Sequence, residues 1–346
     1  MIAPTLSVIA LVVVATFPSA VLAADKPAKP EPSMKKVLTT LASLGGKPIE
    51  TLTPDEARKQ PTPADAVKKL MTQMGKSTAP DPAVTKKTMS VKGPIGDFPI
   101  HVFTPAGAGP FPLIVYFHGG GFIIADTTVY EASPRALAKL SNAVVVSVDY
   151  HRAPEHKFPA APNDAYAAYT WVLEHAKEIN GDAARVAVAG ESAGGNLATV
   201  VSMMARDKKS PLPLHQLLVY PVVNDDMNTR SYLQYADAKP LNKPMMAWFF
   251  KHYGGDPSNA YALPMKAATL KGLPPATVIS AEIDPLLSEG KAYADRLKKD
   301  GVRVAYKEYK GVAHEFFGMD AVVPRAREAQ QYAADALKAA FAAKPK

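Results

Sequence analysis

The stretch VAVAGESAGGN, residues 186–196, limits what this chain can fold into more than any other part of it. Residues 186–189 are small and β-branched apolar residues, the pattern of a strand buried on both faces. Gly190 ends that run, and Gly190-Glu191-Ser192-Ala193-Gly194 fits G-x-S-x-G, a sharp turn whose glycines let a helix pack close against the strand. Residues 196–205 (NLATVVSMMA) then continue as an apolar helix. A five-residue pattern of small residues also arises by chance. Strand, turn and helix in this order give it weight, because together they hold the Ser192 hydroxyl exposed on a strained backbone.

Strands and helices alternate along most of the remaining chain. Residues 113–117, 143–148, 216–220, 276–281 and 303–309 read as strands, and 131–140, 163–176, 286–299 and 321–342 as helices. Ahead of them, 89–92 and 98–104 alternate like an antiparallel edge pair joined through the turn GPIGD at 93–97. The expectation is an α/β fold, a mostly parallel, doubly wound sheet of about eight strands with helices on both faces. Functional groups in such sheets collect in loops at the carboxyl ends of the strands.

Residues 34–45 and 54–74 carry apolar residues at three- and four-residue spacing and predict two helices outside the sheet. Thr53-Pro54-Asp55-Glu56 supplies a capping residue, a proline at the first helical position and acids in the first turn. Residues 224–263 break the alternation and are rich in bulky side chains (Tyr232, Tyr235, Trp248, Phe249, Phe250, Tyr253). They fit an inserted helical cap, or an ordinary helix pair packing aromatics into the core.

Residues 6–24 form an apolar run ending in small residues, with Val21 and Ala23 in the small-x-small pattern of a cleavage site, although no Lys or Arg precedes the run. Pro18 and Ser19 interrupt it, short of the about 20 unbroken apolar residues of a membrane anchor. The expected organisation is a signal peptide at 1–23 and a Pro/Lys-rich linker at 24–33. N-terminal helices contributing to a cap follow at 34–80, then a catalytic domain at 81–346 with the cap insertion at 224–263. The protein is expected to be periplasmic or secreted, with no stable membrane insertion after signal cleavage; an uncleaved anchor or a start at Met34 is the alternative.

A net charge of +8 invites a nucleic-acid partner, but the Lys and Arg residues are scattered among acids and no aromatics are interleaved with them. Cysteine is absent, which excludes disulfides, thiolate metal sites and a thiol nucleophile.

A serine hydroxyl becomes a useful nucleophile only beside a base, and the base needs a carboxylate to fix its tautomer. Of eight histidines, His101 lies in a strand, His175 and His252 in helices, and His215 just before a strand. His314 instead stands in the turn Gly311 to Gly318 after strand 303–309, at the functional edge of the sheet. Asp284, just after strand 276–281, is the candidate acid if the chain order is serine, acid, histidine. Asp225, Asp226 and Glu282 are its rivals, and capping the next helix is its bland alternative. His118-Gly119-Gly120-Gly121-Phe122 follows strand 113–117, and bare glycine backbone there can bring the amides of Gly119 and Gly120, with that of Ala193, to an oxyanion. A phosphate loop is excluded, because no Gly-Lys-Ser/Thr follows either glycine cluster and no G-x-G-x-x-G opens a helix.

HGGGF at 118–122, GESAGGN at 190–196, DPL at 284–286 and GVAHEFFGM at 311–319 together resemble the hormone-sensitive-lipase branch of the α/β-hydrolases, the bacterial HGGG esterases. The similarity runs from about Met34 to the C-terminus and includes Tyr150 to Asp164. It implies an α/β-hydrolase fold and hydrolysis of small-molecule carboxylic esters, usually of short to medium acyl chains, through Ser192, Asp284 and His314 beneath a helical cap. His118, Gly121, Gly190, Glu191 and Gly194 take supporting positions in the motifs. No cofactor and no metal is implied, and a homodimer is compatible with it. A long-chain lipase and a non-catalytic receptor whose base is lost are the rival readings, and His314 argues against the second.

Three departures stand out. The usual Tyr-Arg-Leu-Ala-Pro-Glu-His is here Tyr150-His151-Arg152-Ala153-Pro154-Glu155-His156, which puts that motif's salt bridge in doubt. Glu191 replaces the more usual Asp, and Glu315 replaces a frequent glycine at a position able to shape the pocket.

Overall fold

A computed structural model of the chain describes residues 27–343; the signal peptide expected at 1–23 and the first part of the expected linker lie outside them. Eight strands, β1 (Val84–Lys92), β2 (Asp97–Pro105), β3 (Phe111–Phe117), β4 (Val144–Val148), β5 (Gly181–Glu191), β6 (Gln216–Val219), β7 (Ala276–Ile283) and β8 (Val304–Ala313), form one sheet in the order β1-β2-β4-β3-β5-β6-β7-β8. β1 pairs antiparallel with β2 and β2 with β4, and every later pair is parallel.

The central strands are apolar on both faces because both faces are covered. All five residues of β4 are buried. Along β3, Leu113, Val115 and Phe117 enter one core cluster, whereas Ile114 and Tyr116 enter the other. This is the two-residue alternation of a pleated strand between two helical layers. Those layers are built from α4 (Ala132–Ser141), α5 (Ala160–His175), α6 (Ala193–Asp207), α9 (Leu287–Lys299) and α10 (Pro324–Ala342).

Strand order places the chemistry. β3 lies between β4 and β5, with Phe117 paired to Gly190, so the loop after β3 and the turn after β5 emerge side by side at the carboxyl edge. Ser192, Asp284 and His314 are each the first residue beyond their strand, β5, β7 and β8 respectively.

Outside the sheet the N-terminal segment forms α1 (Pro32–Ala42), α2 (Pro54–Ala57) and α3 (Pro63–Gln73). The single helix expected over 54–74 is therefore two. Each piece has its own capping box, Thr53 with Glu56 and Thr62 with Asp65, and each begins at a proline. Pro61 and Pro63 between them cannot continue α2. The linker is also shorter than expected, since α1 starts at Pro32. Residues just before it pack on the body: the Glu31 amide donates to the Gly311 carbonyl at 2.8 Å. β5 begins five residues earlier and β8 ends four residues later than apolar patterning indicates: the start of β5 is largely half-exposed or exposed, and the exposed Lys310 and half-exposed Gly311 interrupt the pattern before the buried Val312 and Ala313.

Residues 224–263 hold α7 (Arg230–Gln234) and α8 (Lys243–Tyr253). Both expectations for their aromatics hold in part: Tyr232, Trp248, Phe249 and Tyr253 are buried in the core, and Phe249 also borders the cavity over Ser192. The Trp248 indole N–H donates to the Leu52 carbonyl at 3.0 Å, tying α8 to the N-terminal segment. Among the described residues no helix is long and apolar enough to cross a membrane.

Candidate active site

Ser192 has φ 57° and ψ −118°, a left-handed backbone that a residue with a Cβ seldom adopts. Its neighbours make the conformation affordable. A Cβ at Gly194 would lie 1.9 Å from the Phe117 carbonyl oxygen, so only glycine lets α6 approach β3 this closely. Gly190 is equally confined, against the Gly194 backbone. The Ser192 amide donates to the Val219 carbonyl at 2.9 Å, which locks the turn to β6.

The base and acid meet the serine directly. Ser192 Oγ lies 3.0 Å from His314 Nε2, and His314 Nδ1 lies 2.7 Å from Asp284 Oδ2. A carboxylate accepts only, so Nδ1–H donates to Asp284, which leaves Nε2 bare to accept the serine proton. Asp284 is fully buried, and its second oxygen accepts the Leu286 amide at 2.8 Å. One oxygen thus orients His314 and the other holds the turn before α9, whose N-cap residue is Leu286 and which no side chain caps. Burial alone would push the His314 pKa down, but the Asp284 charge and hydrogen bond outweigh it, with Glu315 adding, and the value stands above 6.5.

The rival acids are engaged elsewhere. Asp225 pairs with Lys266 at 3.3 Å, Asp226 accepts the Asn228 amide at 2.9 Å, and Glu282 accepts the Gly311 amide at 2.7 Å. Among the other histidines, His101 sits in β2 and bonds Thr88, and His215 bonds Thr277.

Ala193 is the first residue of α6, so its N–H has no acceptor within the helix and stays free for a ligand. In the loop after β3, the Ile123 and Ile124 amides both donate to the Gly120 carbonyl at 3.0 and 2.9 Å. Gly120 has φ +92°, and a Cβ there would meet the Ile124 carbonyl oxygen at 2.0 Å. Gly119 is pressed against the Tyr130 hydroxyl and Gly121 against the Phe249 ring. His118 is buried, stacks on Tyr150 at 4.3 Å, and its Nδ1 lies 2.8 Å from the Gly119 carbonyl oxygen. Gly120, Gly121, Ser192 and His314 share one cavity of about 590 Å³, roofed by α1, α2 and α8. Among the described residues no group of three or more His, Asp or Glu side chains is placed to hold a metal ion.

A strand-turn-helix serine hydrogen-bonded through imidazole to a buried carboxylate, under a family model of the α/β-hydrolase fold that matches residues 114–318, decides the family. The chain belongs to the α/β-hydrolase family. Within it, the chain falls in the branch that resembles hormone-sensitive lipase. The carboxylesterase NlhH of Mycobacterium tuberculosis is 38% identical over 269 residues, spanning 76% of this chain and 84% of that protein. The ethyl acetate hydrolase of Pseudomonas putida is 29% identical over 298 residues, 84% of this chain and 92% of the other. Among solved structures, a thermostable esterase from Pseudomonas putida ECU1011 superimposes with a TM-score of 0.83 at 36% identity, covering 91% of this chain and 99% of that one.

This α/β-hydrolase also gives specific partners to groups whose contacts the sequence does not show. Glu191, directly before the nucleophile, is buried between Tyr116 and Tyr220, whose hydroxyls both donate to it. Burial lifts its pKa to about 7 against the pull of those donors. Arg58 of the N-terminal segment gives the altered Tyr150 motif a salt bridge: it forks onto both Glu155 oxygens at 2.7 Å and donates to the Ala153 and Ile123 carbonyls at 2.9 Å. Arg152 lines the cavity and donates to the Ala125 carbonyl. His151 Nδ1 lies 2.7 Å from Asp164, so the motif still organises its turn, through a different pair.

Proposed function

We propose that this α/β-hydrolase is a serine carboxylesterase working through an acyl-enzyme on esters of short to medium acyl chains. Ser192 attacks the ester carbonyl while His314 Nε2 takes its proton. The amides of Gly119, Gly120 and Ala193 receive the oxyanion, each worth about 3 kcal/mol of barrier. His314 then passes the proton to the leaving alcohol, and Asp284 steadies the imidazolium. Water, deprotonated by the same imidazole, releases the acid and restores Ser192. The observation that carries this reading is the unbroken chain Ser192–His314–Asp284, at 3.0 and 2.7 Å, with Ser192 and His314 lining the cavity and Asp284 buried behind them. The chain-length reading draws support from that cavity's roof of helices and from the similarity to a protein named ethyl acetate hydrolase.

The test is hydrolysis of p-nitrophenyl esters from acetate to palmitate by wild type and Ser192→Ala. Wild type should be fastest on acetate to hexanoate, without activation by an emulsion. The variant should lose at least about 10⁴-fold in kcat. An S192A enzyme that keeps its rate defeats the nucleophile assignment. Fastest turnover on emulsified palmitate favours the lipase reading instead.

A further inference from the structure

Glu315 follows the catalytic imidazole in the chain and occupies φ 70°, ψ 1°, a left-handed conformation that glycine adopts freely. Keeping a branched-off side chain there costs about 1 kcal/mol or more, which directs attention to what the side chain does. Its Oε1 lies 3.8 Å from His314 Nε2, the atom that hands the proton to the leaving alcohol. Asp284 and Glu315 are the carboxylates within 4.0 Å of this imidazole among the described residues, and Asp284 is fully buried on the Nδ1 side. Glu315 faces the cavity shared with Ser192, and its side chain keeps 21% exposure.

The Tyr130 hydroxyl donates to Glu315 Oε1 and anchors the carboxyl from the side of the loop after β3. One donor does not saturate a carboxylate, which has about four acceptor sites. Several of the other charged groups around the cavity are already engaged, while Lys47 and Lys239 line the wall as well. Arg58 is forked onto Glu155, Arg152 donates to Ala125, Asp126 accepts the Thr128 and Val129 amides, and Glu50 accepts from Asn242.

Resting on the esterase reading, we propose that Glu315 determines specificity for the alcohol half of the substrate, accepting a hydrogen bond from a hydroxyl or protonated amine carried beside the ester oxygen. The alcohol oxygen must approach Nε2 to receive its proton, and a short polar substituent on it then reaches Oε1. A methyl group in the same place meets a carboxylate that it can only desolvate. The class selected is esters of short polyols and amino alcohols over esters of plain alkanols.

The probe pair is 2-hydroxyethyl butyrate and propyl butyrate, which differ by hydroxyl against methyl. The readout is the ratio of their kcat/KM values in wild type, Glu315→Gln, Glu315→Gly and Tyr130→Phe. Taking the ratio between enzymes cancels the intrinsic reactivity of the two esters. Glycine suits the backbone at 315, so that variant keeps its fold. Glu315→Gly should lower the ratio by up to about tenfold, the scale of one lost hydrogen bond, and Glu315→Gln by less. Tyr130→Phe should keep most of the preference, because the carboxylate remains. A merely structural brace would make Tyr130→Phe and Glu315→Gly behave alike. An unchanged ratio in Glu315→Gly, with p-nitrophenyl butyrate still hydrolysed, overturns the Glu315 assignment alone. A wild type inert toward all three esters overturns the esterase reading, and this inference with it.

Discussion

His314 is where two carboxyl groups converge on one proton. Burial favours the neutral ring, but Asp284 at 2.7 Å and Glu315 at 3.8 Å favour the cation, and the cation-favouring side wins. Catalysis needs the ring neutral before attack, so kcat/KM should rise with pH through an inflection above 6.5. Asp284→Asn removes the nearest negative charge and the acceptor that sets the tautomer. Its kcat should fall by about 10⁴-fold, and its remaining activity should titrate at lower pH than wild type. A pH profile of that variant superimposable on wild type would remove Asp284 from the site. Ser192 was legible in the sequence by its G-x-S-x-G turn, and Asp284 and His314 by the loops after expected strands and by the motifs DPL and GVAHEFFGM. Glu315 and Tyr130 were not paired there, since they lie 185 positions apart and no local pattern links them.

The helical roof depends on one side chain more than on its own length. α2 has four residues, too short to hold itself in water, and Arg58 at its end fixes it to the turns that carry Ile123, Ala153 and Glu155. Arg58 is 21% exposed but Glu155 is 49% exposed, so the fork is open to water on one side and its two-point geometry and the two carbonyl contacts carry its weight. Arg58→Ala should cost about 2 kcal/mol of stability and raise KM several-fold with a smaller change in kcat, because the roof shapes the cavity without touching Ser192. Arg58→Lys keeps the charge but not the fork, and should recover less than half of the loss. Thermal unfolding and kinetics of both variants check this; a lysine variant equal to wild type would reduce the contact to simple charge. The roof also shows why sequence reading misjudged the N-terminal segment. Apolar spacing ran through residues 54–74 as if in one helix, whereas the second capping box at Thr62 and Asp65 is a polar signal that spacing does not weigh. The sheet suffered less: β3 to β7 are buried on both faces, and their apolar runs survive any change of register. The exposed starts of β5 and β1 leave no such trace.

At the scale of the whole molecule, the sheet is held together at its functional edge by acids that prefer to be neutral. Glu191 joins Tyr116 of β3 to Tyr220 after β6, and Glu289 of α9 accepts the amides of Val223 and Asn224 at 2.7 and 3.3 Å. Burial raises the first to about 7 and the second to about 8, against an ordinary glutamate value of 4.5. A carboxyl whose folded pKa is raised binds its proton more tightly in the folded chain than in the unfolded one. Its contribution is therefore complete below pH 4.5 and is lost as pH climbs through the folded value. For Glu191 the full loss is on the order of 3 kcal/mol, comparable with the margin by which many domains stay folded. Glu191→Gln and Glu289→Gln keep a neutral group of the same shape and do not ionise. Both variants should therefore gain stability relative to wild type as pH rises from 5 to 8, and the double variant should gain most. Denaturant unfolding at several pH values measures this directly. A difference between variant and wild type that stays constant across that range would mean the two carboxyls are already ionised in the folded protein.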